Sequence, residues 1–239
     1  MSTLPHASSA NQHTTTLRLT QEQAVTDLEQ FAQRAKRIQD SGMRLQVVGS
    51  RSGQTGGVLA QYVCVMQPRG LGDDVPTVLG LRTVGVEADD AVQGLDVTVP
   101  LAAVLERTAR MKDTASVEFA VPPTQTPQSW TALTPPRTGW TQVAEVANED
   151  LVEVATSGVA AMREALPTDP GDAVVQKARA AVWGQMLGEP AVVPAGSAFA
   201  AYALGFLVPG GRAQVLQSGP WTRLDTVGGF VLHRPAVAL

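Results

Sequence analysis

The run Val58-Leu59-Ala60-Gln61-Tyr62-Val63-Cys64-Val65-Met66-Gln67 and its successor, Thr77-Val78-Leu79-Gly80-Leu81-Arg82-Thr83-Val84-Gly85-Val86-Glu87, decide how this chain folds. Both are rich in Val and Leu, and Gly, Pro and Asp separate them, which is the pattern of extended strands joined by turns. Residues 43–49 read the same way, so the three segments are expected to form one antiparallel sheet. Working outward, 95–99 is a fourth strand that runs into Pro100, and a Pro at a helix start suits a helix over 101–111. Its Leu101, Val104, Leu105 and Thr108 share one face. Residues 116–121 are a fifth strand. On the other side, Thr20 with Gln23 forms a capping-box signature, and Val25, Leu28, Phe31, Ala32, Ala35 and Ile38 recur at helical spacing. This predicts an amphipathic helix over 21–40, stopped by Ser41 and Gly42.

Beyond residue 121 the composition changes. Pro122, Pro123, Pro127, Pro135 and Pro136 exclude helix and central strand, while Trp130 and Trp140 argue for a segment held against a core. The stretch is expected to be a strap laid across the surface. After it, Asn148 reads as an N-cap with Glu149 and Asp150 in the first turn, and Leu151, Ala155, Val159, Met162 and Leu166 line one face. A second helix is expected from the cap Asp172 to Leu187, and a third over 196–207. Three short strands close the chain at 213–217, 221–226 and 230–234, the last two joined through Gly228-Gly229. No internal repeat is visible.

The chain has 239 residues, enough for one large domain or two small ones with a substantial core. Its 44% apolar and 17% charged content is that of a globular protein, and a net charge of −4 argues against a protein built chiefly to grip phosphate backbones. The single cysteine, Cys64, allows no intrachain disulfide and no thiolate metal cluster, in keeping with a reducing, cytoplasmic setting. Residues 1–16 are rich in Ser, Thr, Gln and Asn, lack the pattern of a signal peptide and are expected to be a disordered tail. Residues 191–208 carry no charge, yet Pro194, Gly196, Ser197 and Gly205 interrupt them and no Lys or Arg clusters flank them. They read as a buried helix, not a membrane span.

Each constellation that might carry chemistry has a plainer explanation. The Gly-rich loop 49–57 lacks the Lys and the following helix of a phosphate loop and reads as a hairpin loop, with Arg51 on it facing any anionic partner. Asp73-Asp74 and Asp89-Asp90 lack the alternating ligands of a calcium loop and read as turn residues. His6 and His13 fall in the tail, which leaves His233 without a nucleophile elbow near it, and Cys64 has no cationic neighbour in sequence. No cofactor, metal or catalytic residue is assigned.

Three segments resemble a family of uncharacterised conserved proteins of high-GC actinobacteria. They are Pro135-Pro136-Arg137-Thr138-Gly139-Trp140, then Pro194-Ala195-Gly196 with Phe199 and Ala203-Leu204-Gly205-Phe206-Leu207, and Gly219-Pro220-Trp221-Thr222-Arg223-Leu224. The resemblance implies a cytoplasmic setting and transfers no activity.

The expectation is an α+β chain: a tail over 1–16, an antiparallel sheet domain with flanking helices over 17–121, a Pro-rich strap over 122–147, and a C-terminal three-helix unit with a winged-helix-like β-meander over 148–239. The third helix offers base edges almost nothing polar, so protein contact is favoured over nucleic acid. The functional reading is a non-enzymatic interaction or adaptor protein with another protein as partner, touching it through Trp130, Arg137 and Trp140. The alternative is a nucleic-acid binder using Arg51, Arg212, Arg223 and Arg234. A homodimer through the Ala-rich third helix fits the sequence as well as an internal core does.

Overall fold

A computed structural model of the chain describes residues 15–49, 56–70, 72–87, 92–188 and 192–236. Most of the tail, Arg51 with most of its loop, and Asp89-Asp90 lie outside the described residues. The expected three-strand core is present as β2 (Met43–Val48), β3 (Gly57–Met66) and β4 (Thr77–Glu87), antiparallel and in sequence order. The strand β5 (Asp96–Val99) pairs on the far side of β2. At the other end of the chain β10 (Arg212–Ser218), β11 (Trp221–Thr226) and β12 (Gly229–Arg234) form the expected meander.

The meander does not stand alone. Residues Phe230 to Arg234 of β12 pair antiparallel with Leu81 to Thr77 of β4, so both ends of the chain share one sheet. Its order is β5-β2-β3-β4-β12-β11-β10-β7, where β7 is Thr141–Ala147. The order is a palindrome of roles: three sequential strands with one outer strand, on each side of the β4–β12 seam. A sequence without an internal repeat thus builds two matching half-sheets.

Two strands of the main sheet were not legible as such. Thr16–Leu19, at the edge of the expected tail, is β1, and β7 lies inside the stretch read as strap. The strand β1 has only four residues, although Leu17 and Leu19 alternate with polar neighbours, and in β7 the apolar residues stand in adjacent pairs, Val143-Ala144 and Val146-Ala147, which blurs the two-residue period. The strand β1 pairs with the far end of β4 and with β6 (Glu118–Ala120). One edge of β4 therefore serves two neighbours, β12 along Thr77–Leu81 and β1 at Val86 and Glu87. Arg82 sits at this fork and pairs with Asp27 at 3.3 Å. Thr20, expected to cap the first helix, donates its hydroxyl to Gly85 O instead, and α1 (Gln23–Ile38) starts without a side-chain cap.

Among the described residues five α-helices cover one face of the sheet. The helix α1 packs on α2 (Leu101–Asp113), and both lie over the first half-sheet. On the second half, α5 (Ala195–Ala203) lies on β4 and β12, with α3 (Asn148–Ala165) and α4 (Asp172–Trp183) outside it. A small hairpin of β8 (Met186–Leu187) and β9 (Val193–Pro194) leads into α5 and ends the expected second helix at Trp183, while α5 stops at Ala203, just before the positive φ of Gly205. Asn148 is the first helical residue, not the cap: its Nδ2 donates to Val208 O at 2.8 Å, and Glu149 accepts from Gly210 N at 2.7 Å. The two carry the start of α3 onto the loop after α5. Arg34 of α1 donates to the carbonyls of Leu204 and Gly205 at 2.9 and 3.2 Å, placing a cation at the end of α5 where the helix dipole favours it. Gly205 has φ +68, and a Cβ there would overlap the Arg34 guanidinium, so the contact requires glycine twice over. Phe31 and Phe206, 5.7 Å apart, complete this link between the halves. Among the described residues no helix is long and apolar enough to cross a membrane.

Candidate interaction surface on the strap face

Side chains alternate across a strand, so a sheet with helices on one face must still dispose of its second face. Here Cys64, Leu79, Trp221 and Leu232 point away from the helices and form a separate small core with Trp130, flanked by Tyr62, Leu81, Leu133 and Trp140. The cover is the Pro-rich strap. Val121 N bonds Thr15 O, and Thr126 N bonds Thr98 O on the outer edge of β5. A single 3-10 turn, Ser129–Ala132, then drops Trp130 into the sheet. Trp130 is 2% exposed and its Nε1 donates to Ser41 O at 3.3 Å. It therefore seats the strap, and almost none of its ring lies on the surface.

From Pro136 to Trp140 the strap forms a closed loop, because Trp140 Nε1 donates to Pro136 O at 3.0 Å. Arg137 stands exposed on that loop, with no ion pair to another described residue. Trp140 is half-buried, and Arg223 lies over its ring at 4.7 Å and over Phe230 at 5.8 Å. Asp225, two residues along β11 and so on the same face, holds Arg223 through 2.6 and 2.8 Å bonds. Beside the loop Arg44 grips Asp96 at 2.7 and 2.6 Å and reaches Thr131 O at 3.2 Å, while Gln46 donates to the same carboxylate at 2.9 Å. The hydrogen bonds from Arg44 hold the Asp96 carboxyl below the usual carboxylate range, with Arg137 adding to the effect. Burial pushes the Tyr62 phenol up against the opposing pull of Arg137 and Arg44. The result is an aromatic and guanidinium platform, Arg137, Trp140, Arg223, Phe230 and Tyr62, fixed to a rigid sheet.

The structure thus brings Arg137 and Trp140 together and adds Arg223, which sequence reading had placed in a different set. Arg212 is exposed and paired with Glu145, and Arg234 is half-buried at the end of β12 opposite Thr77. Phe230 and Tyr62 were missed, although the two-residue period of β3 and β12 already places each on the face of Cys64 or Leu232.

The two side chains best suited to chemistry are sealed away. His233 is 2% exposed, both ring nitrogens lack a partner among the described residues, and burial lowers its pKa to about 4. Cys64 is 1% exposed, and burial pushes its thiol up to about 12. Asp73 accepts from the backbone of Arg69 and Val75, a turn role. Among the described residues no group of three His, Cys, Asp or Glu is placed to hold a metal.

Comparison with known proteins adds the following. Residues 12–131, half of the chain, match the domain of unknown function DUF8010, and residues 135–238 match the domain of unknown function DUF8185. No curated protein matches. Among solved structures, Caulobacter crescentus pol III beta is similar at 11% identity and a TM-score of 0.50, over 94% of this chain and 66% of that one. This chain therefore spans slightly less than two thirds of its length, and at that identity the likeness is one of fold.

Proposed function

We propose that this chain, which belongs to the DUF8010 family, is a non-enzymatic protein-interaction or adaptor protein whose partner docks on the strap face. The observation that carries the reading is the platform around Trp140. Aromatic rings and guanidinium groups dominate protein interfaces because they bury much area for little lost freedom. Here Trp140 is already immobilised by Arg223 and the Pro136 carbonyl, so contact with it costs little further order. Arg137 is the group left free to meet a partner's carboxylate.

A second reading uses the three-helix and meander half as a winged-helix-like nucleic-acid binder through Arg212, Arg223 and Arg234. Two of these already face carboxylates, Glu145 and Asp225, which reduces what they offer a phosphate. Protein contact is therefore the stronger reading.

The test is capture by tagged full-length protein from its native lysate, with and without nuclease, compared with the Arg137→Glu variant. A stoichiometric protein partner that survives nuclease and is lost with R137E is expected. Capture unchanged by R137E removes the strap face from consideration, and loss on nuclease treatment transfers the assignment to nucleic acid.

A further inference from the structure

A cavity of about 520 Å³ lies on the helix side of the molecule, opposite the strap, between α3 and the end of α4. It falls within the roughly 300–1,000 Å³ of typical ligand pockets. One wall is a continuous stripe of α3: Asp150, Glu153, Val154, Ser157, Gly158 and Ala161. These positions advance by three and four residues, so they form one face about 16 Å long at 1.5 Å rise per residue. Trp183 and Leu187 contribute to the opposite wall. Trp183 is 3% exposed and stacked on Phe199 at 4.6 Å, and a Cβ on Gly158 would come within 2.3 Å of its ring. The floor is thus apolar and set before anything binds.

Among the described lining residues, charge is confined to one end. Asp150 and Glu153 are exposed, and neither forms an ion pair with a described residue, whereas the adjacent Glu149 is engaged with Gly210 N. A groove with the length of three helical turns, acidic at one end and mostly apolar beyond it, with Ser157 and Gln185 as its uncharged polar groups, matches the helix-in-groove mode of recognition. The geometry points to this groove as the docking site for an amphipathic helical segment of a partner protein, whose apolar side chains lie along Val154, Gly158, Ala161 and Trp183 and whose Lys or Arg meets Asp150 and Glu153. The site lies on the opposite side of the sheet from Arg137, so R137E leaves it intact and either assignment fails without the other.

The probe is a twelve-residue helical peptide of Leu and Ala with two Lys at one end, titrated into the full-length ¹⁵N-labelled chain and followed by amide and indole shifts. Saturable shifts at residues 150–161 and at the Trp183 indole are expected. Glu153→Lys weakens the binding about fivefold or more, the scale of one exposed charge pair lost and reversed. Ala161→Trp, a substitution at an exposed position, fills the groove and abolishes binding while shifts elsewhere stay in place. The proposal is overturned if the same peptide with Glu for Lys binds equally well, if the shifts map away from α3 and α4, or if the Lys peptide is silent. It is also overturned if hexylammonium alone reproduces the shifts where the peptide does not, which assigns the groove to a small organic cation.

Discussion

At the scale of single residues, the sheet has taken over the groups that carry reactivity elsewhere. His233 lies in register with Val78 and Thr222 on the helix side, and no donor or acceptor among the described residues reaches its ring. Its imidazole is neutral in the fold down to about pH 4, whereas in the unfolded chain it takes a proton near its ordinary 6.5. The depressed value means that its stabilising contribution is complete above 6.5 and is lost as pH falls toward 4, by at most about 1.4 kcal/mol per pH unit. Denaturant titrations between pH 7 and 4 are expected to show this slope, and His233→Phe to flatten it; an unchanged slope assigns the acid sensitivity to the carboxylates. Cys64, neutral up to about pH 12, should not react with Ellman's reagent at pH 8 in the native protein and should react fully in guanidinium. Rapid native labelling would mean that the strap opens often enough to expose β3.

Among the elements, the strap is the one seated in the sheet by one large buried side chain. Trp130 fills the small core between Cys64, Leu79, Trp221 and Leu232, so Trp130→Ala leaves a large cavity and is expected to cost about 3–5 kcal/mol. Limited proteolysis should then cut within 122–140 in the variant and not in the parent. A loss of stability without new cleavage would show that the strap is held by its backbone bonds at Val121 and Thr126 instead. The strap also protects an edge, since Thr126 bonds the outer side of β5. At the other edge β7 carries a bulge at Val143, where the register jumps between Ala144 and Gln142. A bulge of this kind opposes strand addition by a neighbour, which leaves side-chain surfaces, not sheet edges, as the places for contact.

For the whole molecule, the question is whether two half-sheets behave as one. Five residues of β12 pair with β4, Phe31 meets Phe206, and Arg34 crosses from α1 to the end of α5. A chain of 239 residues does not unfold in one step by default, but these links leave neither half a complete core. A single transition is expected, with coincident midpoints by far-ultraviolet circular dichroism and tryptophan fluorescence. Two separated midpoints would show that the seam is weaker than either half.

The sequence by itself determined the local elements whose patterns are strong: β2 to β4, α1, α2 and the closing meander all lie within a few residues of their expected bounds. It also determined that the Pro-rich stretch lies against a core, because large aromatics in a segment barred from regular structure have no other favourable place. Only the tertiary structure decided the rest. The β4–β12 seam joins residues about 150 positions apart, and nothing in either strand's alternation names its neighbour. Thr20 and Asn148 were read as caps because capping is local, yet each hydroxyl or amide found a partner more than 50 residues away. Burial separated Trp130 from Trp140 although sequence treats them alike, and it is burial, with the charges set beside it, that makes one a fastening and the other a surface.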